Sequence, residues 1–147
     1  MDIKIIPMDE SCLDDVLDIS RLSFAIPWTK NSFQNELRNN FATYVVAKVD
    51  ERVIGYGGMW IIIDEGHITN IAVHPDYRGQ GIGNTILNSM INICNEKCVK
   101  AMTLEVRISN IAAQNLYKKY GFIKEGVRHK YYEDNKEDAV IMWKRWV

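Results

Sequence analysis

Apolar positions along this chain switch between runs with a period of two and stripes with a period near 3.6, and the switches mark its elements. Residues 2–7, DIKIIP, read as a short strand closed by Pro7, which has no N–H for a ladder. Asp9 or Ser11 can cap a helix with Leu13, Val16, Leu17, Ile19 and Leu22 at its apolar positions. Ala25-Ile26-Pro27-Trp28 breaks that helix, and Thr29 caps a second one through Phe33 and Leu37. Tyr44 to Val49 is a strand, Asp50-Glu51 a turn, and Val53 to Ile63 a second strand, which together predict a hairpin. Gly55, Gly57 and Gly58 within it indicate a bulge or a close backbone approach.

Asp64-Glu65-Gly66 turns into the stretch around which the chain is organised, Ile68 to Leu87. Ile68, Thr69, Ile71 and Val73 predict a strand with both faces largely buried, and His74-Pro75-Asp76 stops it. Gly79, Gly81 and Gly83 follow at every second position. Ile82, Ile86, Met90 and Ile93 then recur at helical spacing, with Leu87 and Cys94 widening the stripe. Ala101 to Val106 reads as a short strand. Asn110 caps a helix with Ile111, Ala112, Leu116 and Tyr117 on its apolar face, and Gly121 ends it. Phe122 onward, with Asn135-Lys136 as the turn and Ala139 to Trp146 returning, predicts a final long hairpin. Strands with helices between them predict an α/β sandwich on a mixed sheet. No repeat, low-complexity segment or linker interrupts the pattern, so residues 1–147 are expected to form one domain.

Composition narrows the classes of function. The 47% hydrophobic and 25% charged content is that of a soluble globular protein. A net charge of −1 gives no general attraction to nucleic acid or anionic membranes, so neither is an expected partner. No apolar run approaches the ~18 to 20 residues of a membrane span, and no signal peptide opens the sequence. Three cysteines, an odd number, suit reduced thiols and a cytoplasmic location. Cys94 and Cys98 could share a helix face, but no second ligand pair accompanies them, and no metal site is expected. Cys12 reads as a core filler. Nothing in the sequence sets an oligomeric state.

The order strand, glycine-rich turn, helix has a chemical consequence. The first turn of a helix carries N–H groups without intrahelical partners, and the macrodipole adds partial positive charge there. Glycines remove the Cβ atoms that would keep a ligand from the backbone, so the turn suits a phosphate or pyrophosphate. Arg78 adds a full positive charge. A P-loop would need Lys-Ser or Lys-Thr after the last glycine, where Asn84-Thr85 stands. A dinucleotide fingerprint would need a glycine at Asn84.

The run Arg78-Gly79-Gln80-Gly81-Ile82-Gly83, after a strand ending in Ala72-Val73-His74-Pro75, instead resembles the pyrophosphate loop of the GNAT superfamily of N-acetyltransferases. A second signature is Leu104-Glu105-Val106-Arg107-Ile108-Ser109-Asn110, then Ala112-Ala113, then Leu116-Tyr117 and Gly121-Phe122. With Phe24-Ala25-Ile26-Pro27-Trp28, Asn70 to Val73, Tyr131-Tyr132 and Glu137-Asp138-Ala139, it resembles the bacterial RimI-type ribosomal-protein-alanine N-acetyltransferases over almost the whole chain. The resemblance implies a GNAT fold: a mixed, mostly antiparallel central sheet of about six to seven strands with about four helices. It implies acetyl-coenzyme A as co-substrate and, as partner, a protein N-terminus, in that family the alanine of a small-subunit ribosomal protein.

An amine attacks a thioester only as its neutral form. A protein α-amino group, with pKa ~7.7–8.0, is roughly 10–20% neutral at pH 7, whereas a lysine at ~10.4 is almost wholly charged. That difference corresponds to roughly 3.4 kcal/mol of deprotonation cost. The resemblance makes Glu105 the general base and Tyr117 the acid that protonates the departing sulfur. It places the cofactor's pantetheine arm on the N–H groups of Ile71, Ala72 and Val73. It places the pyrophosphate on Arg78, Gly79, Gln80, Gly81, Ile82, Gly83 and Asn84, with Asn110 as a further contact. Trp28, Tyr131 and Tyr132 would flank the peptide. Structural alternatives stand beside each role. Glu105 could form a salt bridge to Arg107 or a lysine, Tyr117 could be a core aromatic, and Asn110 a helix cap. Trp28, Tyr131 and Tyr132 could be ordinary packing. Glu65 and Asp134 could attract a cationic amine or be solvated turn residues. His67, His74 and His129 show no ligand spacing and carry no role in this reading. Two other functions share the motifs: a small-amine acetyltransferase acting on a polyamine, antibiotic or amino acid, and a non-catalytic acyl-coenzyme A sensor. Retention of both Glu105 and Tyr117 argues against the sensor.

Overall fold

Strand β1, Ile3–Pro7, begins the chain in the computed structural model, which describes residues 2–146. Asp9 is the cap, accepting from the Ser11 N–H at 2.9 Å, but the segment opens as a 3₁₀ turn, Glu10–Cys12, before helix α1, Leu13–Ser23. Leu13, Val16, Leu17 and Ile19 are buried as the stripe predicts; Leu22, at 56% exposure, points away from the core. Thr29 caps α2, Lys30–Arg38, which buries Phe33. Strands β2, Ala42–Val49, β3, Arg52–Ile62, and β4, Glu65–Val73, form a meander. Glu65, expected in a turn, is the first residue of β4. Helix α3, Ile82–Glu96, strand β5, Ala101–Arg107, and helix α4, Ile111–Lys119, follow, and β6, Ile123–Arg128, and β7, Ala139–Arg145, close the chain as a hairpin.

The seven strands form one sheet in the order β1-β2-β3-β4-β5-β7-β6, antiparallel throughout except for β4 with β5. The expected mixed, mostly antiparallel sheet with four helices is therefore what forms. Two cores lie on its faces. Residues of α1 and α2, among them Leu13, Val16, Ile19 and Phe33, pack with Tyr44 and Tyr56. On the other face Ile86, Leu87 and Met90 of α3 and Tyr117 of α4 pack with Met59, Met102 and Met142. Burying each large apolar side chain contributes about 1.5–3 kcal/mol. The stripe of α3 turns slightly from the predicted one: Ile91 is buried and Ile93 only partly so. Cys98 lies beyond the end of α3 and is exposed while Cys94 is buried, so the two do not share a helix face. On α4 the buried residues are Gln114 and Tyr117; Ile111, at 58% exposure, and Ala112 are exposed, because of how the helix is seated on the sheet. No described helix is long and apolar enough to cross a membrane.

Close approach explains all three β3 glycines: a Cβ on Gly55 would lie 2.9 Å from Ile86 and 3.1 Å from the Ala72 carbonyl oxygen. A Cβ on Gly57 would lie 2.7 Å from both Ile86 and Met90, and one on Gly58 would lie 2.1 Å from the Tyr44 ring. The predicted bulge also exists: Ala47 pairs with Gly55 and Lys48 with Val53, so Ile54 of β3 is the extra residue, and a second bulge puts its extra residue on β4. Gly58 pairs with Asn70 and Met59 with Ile68, so Thr69 is left without a partner on β3. This second bulge changes which side chains share a face: Ile68 and Ile71, three apart, both meet the α3-side core, and Ala72 meets the opposite one. β4 thus meets a core on each face, as expected, with Ile68 buried on one and Ala72 on the other, while Thr69, Asn70, Ile71 and Val73 are only half-buried.

The parallel pair β4–β5 is short. Glu65 pairs with Ala101, Gly66 with Met102 and His67 with Thr103, and there pairing ends although both strands continue. A bulge bends its strand and increases local twist, and Thr69 sits just past the last pair. From Thr69 to Val73, β4 has one edge with no strand beside it.

Candidate active site

That parting of the strands opens two adjoining clefts. The first, of about 580 Å³, is lined by Ile71, Ala72 and Val73 of β4, by Arg78, Gly79 and Gly81 to Asn84 at the start of α3, and by Asn110, Leu116 and Tyr117. The second, of about 660 Å³, is lined by Glu105 and Arg107 of β5, Asn70, Trp28, Tyr131, Tyr132 and again Asn110 and Tyr117. Ser23, Phe24, Ile71, Asn110, Ala113 and Tyr117 border both. Every residue to which the resemblance gives a role lines one of these clefts except Gln80, which is exposed and outside their lining; Glu65, offered as an attractor of the amine, lines neither.

The glycine turn is built for its backbone. Gly79 and Gly81 have φ of +77° and +80°, the left-handed region that other residues enter at a cost of roughly 1–2 kcal/mol. Gly81 is the N-cap of α3 and no side chain caps the helix, so the first-turn N–H groups face the cleft uncapped. Gly83 is different: it lies within the first turn of α3, and a Cβ there would make ordinary contacts at 3.6 Å with Leu116 and 4.0 Å with Val73. Arg78 donates from Nε to the Val73 carbonyl at 3.0 Å and from its terminal nitrogen to Ser23 Oγ at 3.1 Å. The charge is thereby fixed at the junction of β4, α1 and the turn.

Asn110 does cap α4, accepting from the Ala113 N–H at 3.1 Å, while its residue borders both clefts. Tyr117 is 8% exposed and meets the Phe122 ring edge-on at 5.7 Å. Its hydroxyl has no hydrogen-bond partner among the described residues. Burial pushes its pKa well above the ordinary tyrosine value, so the phenol keeps its proton. Trp28 packs on Phe33 and Tyr44 at 5.2 and 6.4 Å, combining core packing with a position on the cleft wall. Tyr131 and Tyr132 stand perpendicular at 5.1 Å.

Glu105 is only 12% exposed in its side chain and is paired, but not with Arg107 or a lysine as the salt-bridge alternative had it. Its Oε2 lies 2.7 Å from His67 Nε2, and its Oε1 lies 3.5 Å from Arg128 Nε. The His67 hydrogen bond holds the Glu105 carboxyl below its ordinary value, against the effect of burial, and the same bond raises His67. Arg107 instead binds Asp134 and Glu137, so Asp134 is an ion-pair partner and not a free solvated residue. His67 and Arg128 are the residues that sequence reasoning missed. His67 and Glu105 are 38 residues apart, and only the parallel register of β4 on β5 makes them neighbours.

A glycine turn at a helix N-terminus beside an open strand edge, on a seven-stranded mixed sheet, defines an acyltransferase-like architecture. The chain belongs to the acetyltransferase (GNAT) family, whose family model matches residues 13–122. It is an acetyltransferase, and acetyl-coenzyme A is its co-substrate. Among relatives, it is 49% identical over 132 residues to a Bacillus subtilis protein provisionally named ribosomal protein bS18-alanine N-acetyltransferase, covering 89% of this chain and 87% of that one. It is 32% identical over 126 residues to the ribosomal protein bS18-alanine N-acetyltransferase of Escherichia coli, covering 84% of each. The crystal structure of the ribosomal-protein-S18-alanine N-acetyltransferase from Escherichia coli superimposes with a TM-score of 0.91 at 29% identity, covering 98% of this chain and 94% of that one.

Proposed function

We propose that this protein acetylates the N-terminal α-amine of a ribosomal protein, an alanine of the bS18 type, from acetyl-coenzyme A in the cytoplasm. The observation that carries the reading is that Glu105 and Tyr117, on different elements, border one cleft at the point where β4 and β5 part. The relatives' activity supports the choice of amine.

In this reading the uncapped first turn of α3, with Gly79, Gly81 and Arg78, binds the pyrophosphate. The free edge of β4 at Ile71 to Val73 hydrogen-bonds the pantetheine amides as an added strand would. Acetyl-coenzyme A supplies the acetyl thioester; the protein's own groups handle the protons and the positions. Glu105, ionised and facing the second cleft, accepts a proton from the substrate ammonium and leaves the neutral amine that attacks. Tyr117, kept protonated by burial and free of a competing hydrogen bond, donates to the leaving sulfur. An N–H of the β4 edge polarises the thioester oxygen. Trp28, Tyr131 and Tyr132 border the second cleft and hold the first residues of the peptide.

A panel of peptides with free and blocked N-termini, read by release of coenzyme A thiol, tests the proposal. Turnover is expected with free α-amines, best with an N-terminal alanine, and none with blocked N-termini. Faster turnover of a polyamine or of a lysine side chain in a blocked peptide would overturn it.

A further inference from the structure

We propose that His67 is the proton exit of this site: a positioning and relay residue that takes the substrate's proton from Glu105 and passes it to water. The inference rests on the reading of Glu105 as the base. A base that gains one proton per turnover must lose it before the next. Glu105 is poorly placed to do so alone, with a side chain 12% exposed that faces the cleft the peptide would fill. His67 touches its carboxylate at 2.7 Å from behind, is absent from the cleft lining, and has a side chain 38% exposed. One hydrogen bond and one ring therefore connect the cleft wall to solvent.

The surroundings of the imidazole fit this role. On β3, Trp60 pairs with His67 and meets its ring edge-on at 6.4 Å, itself held by a 2.8 Å bond from its indole N–H to Glu36 on α2. On β5, Thr103 is its neutral strand partner. The charged groups near it are Glu105 on β5, Glu65 on its own strand and Arg128 on β6. The two carboxylates favour the imidazolium and Arg128 opposes it. Arg128, the other partner of Glu105, offers only guanidinium donors and no acceptor for a proton. With His67 raised and Glu105 lowered by their shared bond, a proton held by the pair resides on the imidazole, and the carboxylate is restored as a base.

The step balances. The ammonium N–H bond breaks, its electron pair stays on the amine, and the proton goes to Glu105 Oε2. At rest the imidazole donates from Nε2–H to Oε2. Once the carboxyl is protonated, exchange through water moves the ring hydrogen to Nδ1, Nε2 takes the proton from Oε2, and the imidazolium gives the Nδ1 hydrogen to water, which returns the ring to its Nε2–H form.

His67→Gln separates relay from simple support, because the glutamine amide can still donate to Glu105 but cannot carry a proton. Turnover at saturating peptide should fall by at least about tenfold, within the range of lost proton-transfer steps. Peptide KM and acetyl-coenzyme A affinity, measured calorimetrically, should change little. The acid limb of kcat against pH, which reflects the imidazole in the native protein, should move to lower pH. In His67→Ala, added free imidazole should restore part of the rate. If His67→Gln keeps the native kcat and acid limb, or if imidazole does not rescue His67→Ala, the relay is overturned. Glu105→Gln run in parallel distinguishes the two failures. A slow Glu105→Gln beside a normal His67→Gln rejects the relay alone, whereas a native rate in Glu105→Gln rejects the base on which it rests.

Discussion

Arg107 lies 4.0 Å over the ring of Tyr132 and, from the same guanidinium, holds Asp134 at 2.9 Å and Glu137 at 3.3 Å. One residue of β5 thus ties down the β6–β7 loop that carries Tyr131 and Tyr132 to the cleft. Arg107→Lys keeps the charge and loses the fork and the stacking plane. Loosening the loop by about 1 kcal/mol should raise peptide KM roughly fivefold while acetyl-coenzyme A affinity stays constant. Steady-state kinetics and calorimetry on the one variant check both.

The same loop should open in acid. Glu137 accepts the Ser109 N–H at 2.7 Å, and its bonds to Ser109, Asn135 and Arg107 lower it from 4.5 to about 2. A lowered carboxyl stabilises the folded loop above its ordinary pKa, and that stabilisation is lost as pH falls through the folded value. Protease cleavage between β6 and β7 should therefore increase from about pH 4.5 down to about 2. Glu137→Gln should show the increase already at neutral pH.

Gly83 offers the cleanest probe of the pyrophosphate turn. Because it has no positive φ and a Cβ there meets nothing closer than 3.6 Å, Gly83→Asp should fold with stability within about 1 kcal/mol of the native protein. Its carboxylate would nevertheless stand where the pyrophosphate is proposed to bind. Acetyl-coenzyme A affinity should fall by at least tenfold in calorimetry, and an unchanged affinity would reject the site.

Tyr117→Phe removes a hydroxyl that bonds no described residue and leaves the ring on Phe122. Thermal stability should change little, since no hydrogen bond is lost. Turnover should fall by ~10² to 10⁴, as for a positioned acid. Full activity with a lowered melting temperature would make Tyr117 a packing residue only.

Gly58→Ala tests the fold. The added methyl would lie 2.1 Å from the Tyr44 ring, whose hydroxyl bonds Thr69 at the bulge. Overpacking there should cost about 1–3 kcal/mol in denaturant unfolding. Equal stability would show that Tyr44 can move aside.

The sequence by itself determined whatever depends on residues a few positions apart. Asp9, Thr29 and Asn110 cap helices because each reaches an N–H two or three residues ahead. Gly79 and Gly81 turn the chain because only their own φ is at stake, and the α3 stripe is legible because the helical period is local. Tertiary structure decided what depends on register between distant strands and on which side of a helix the sheet lies. Nothing near Leu22 or Ile111 marks them as exposed; the seating of α1 and α4 on the sheet does. Arg107 and Glu105 are two residues apart on one strand, yet one ties a loop and the other meets His67. That division follows from β5 lying between β4 and β7 and from the bulge at Thr69, after which β4 no longer pairs with β5. Local rules act through bonds between near neighbours in the chain, whereas the cleft and the Glu105–His67 contact exist only once strands far apart in sequence lie side by side.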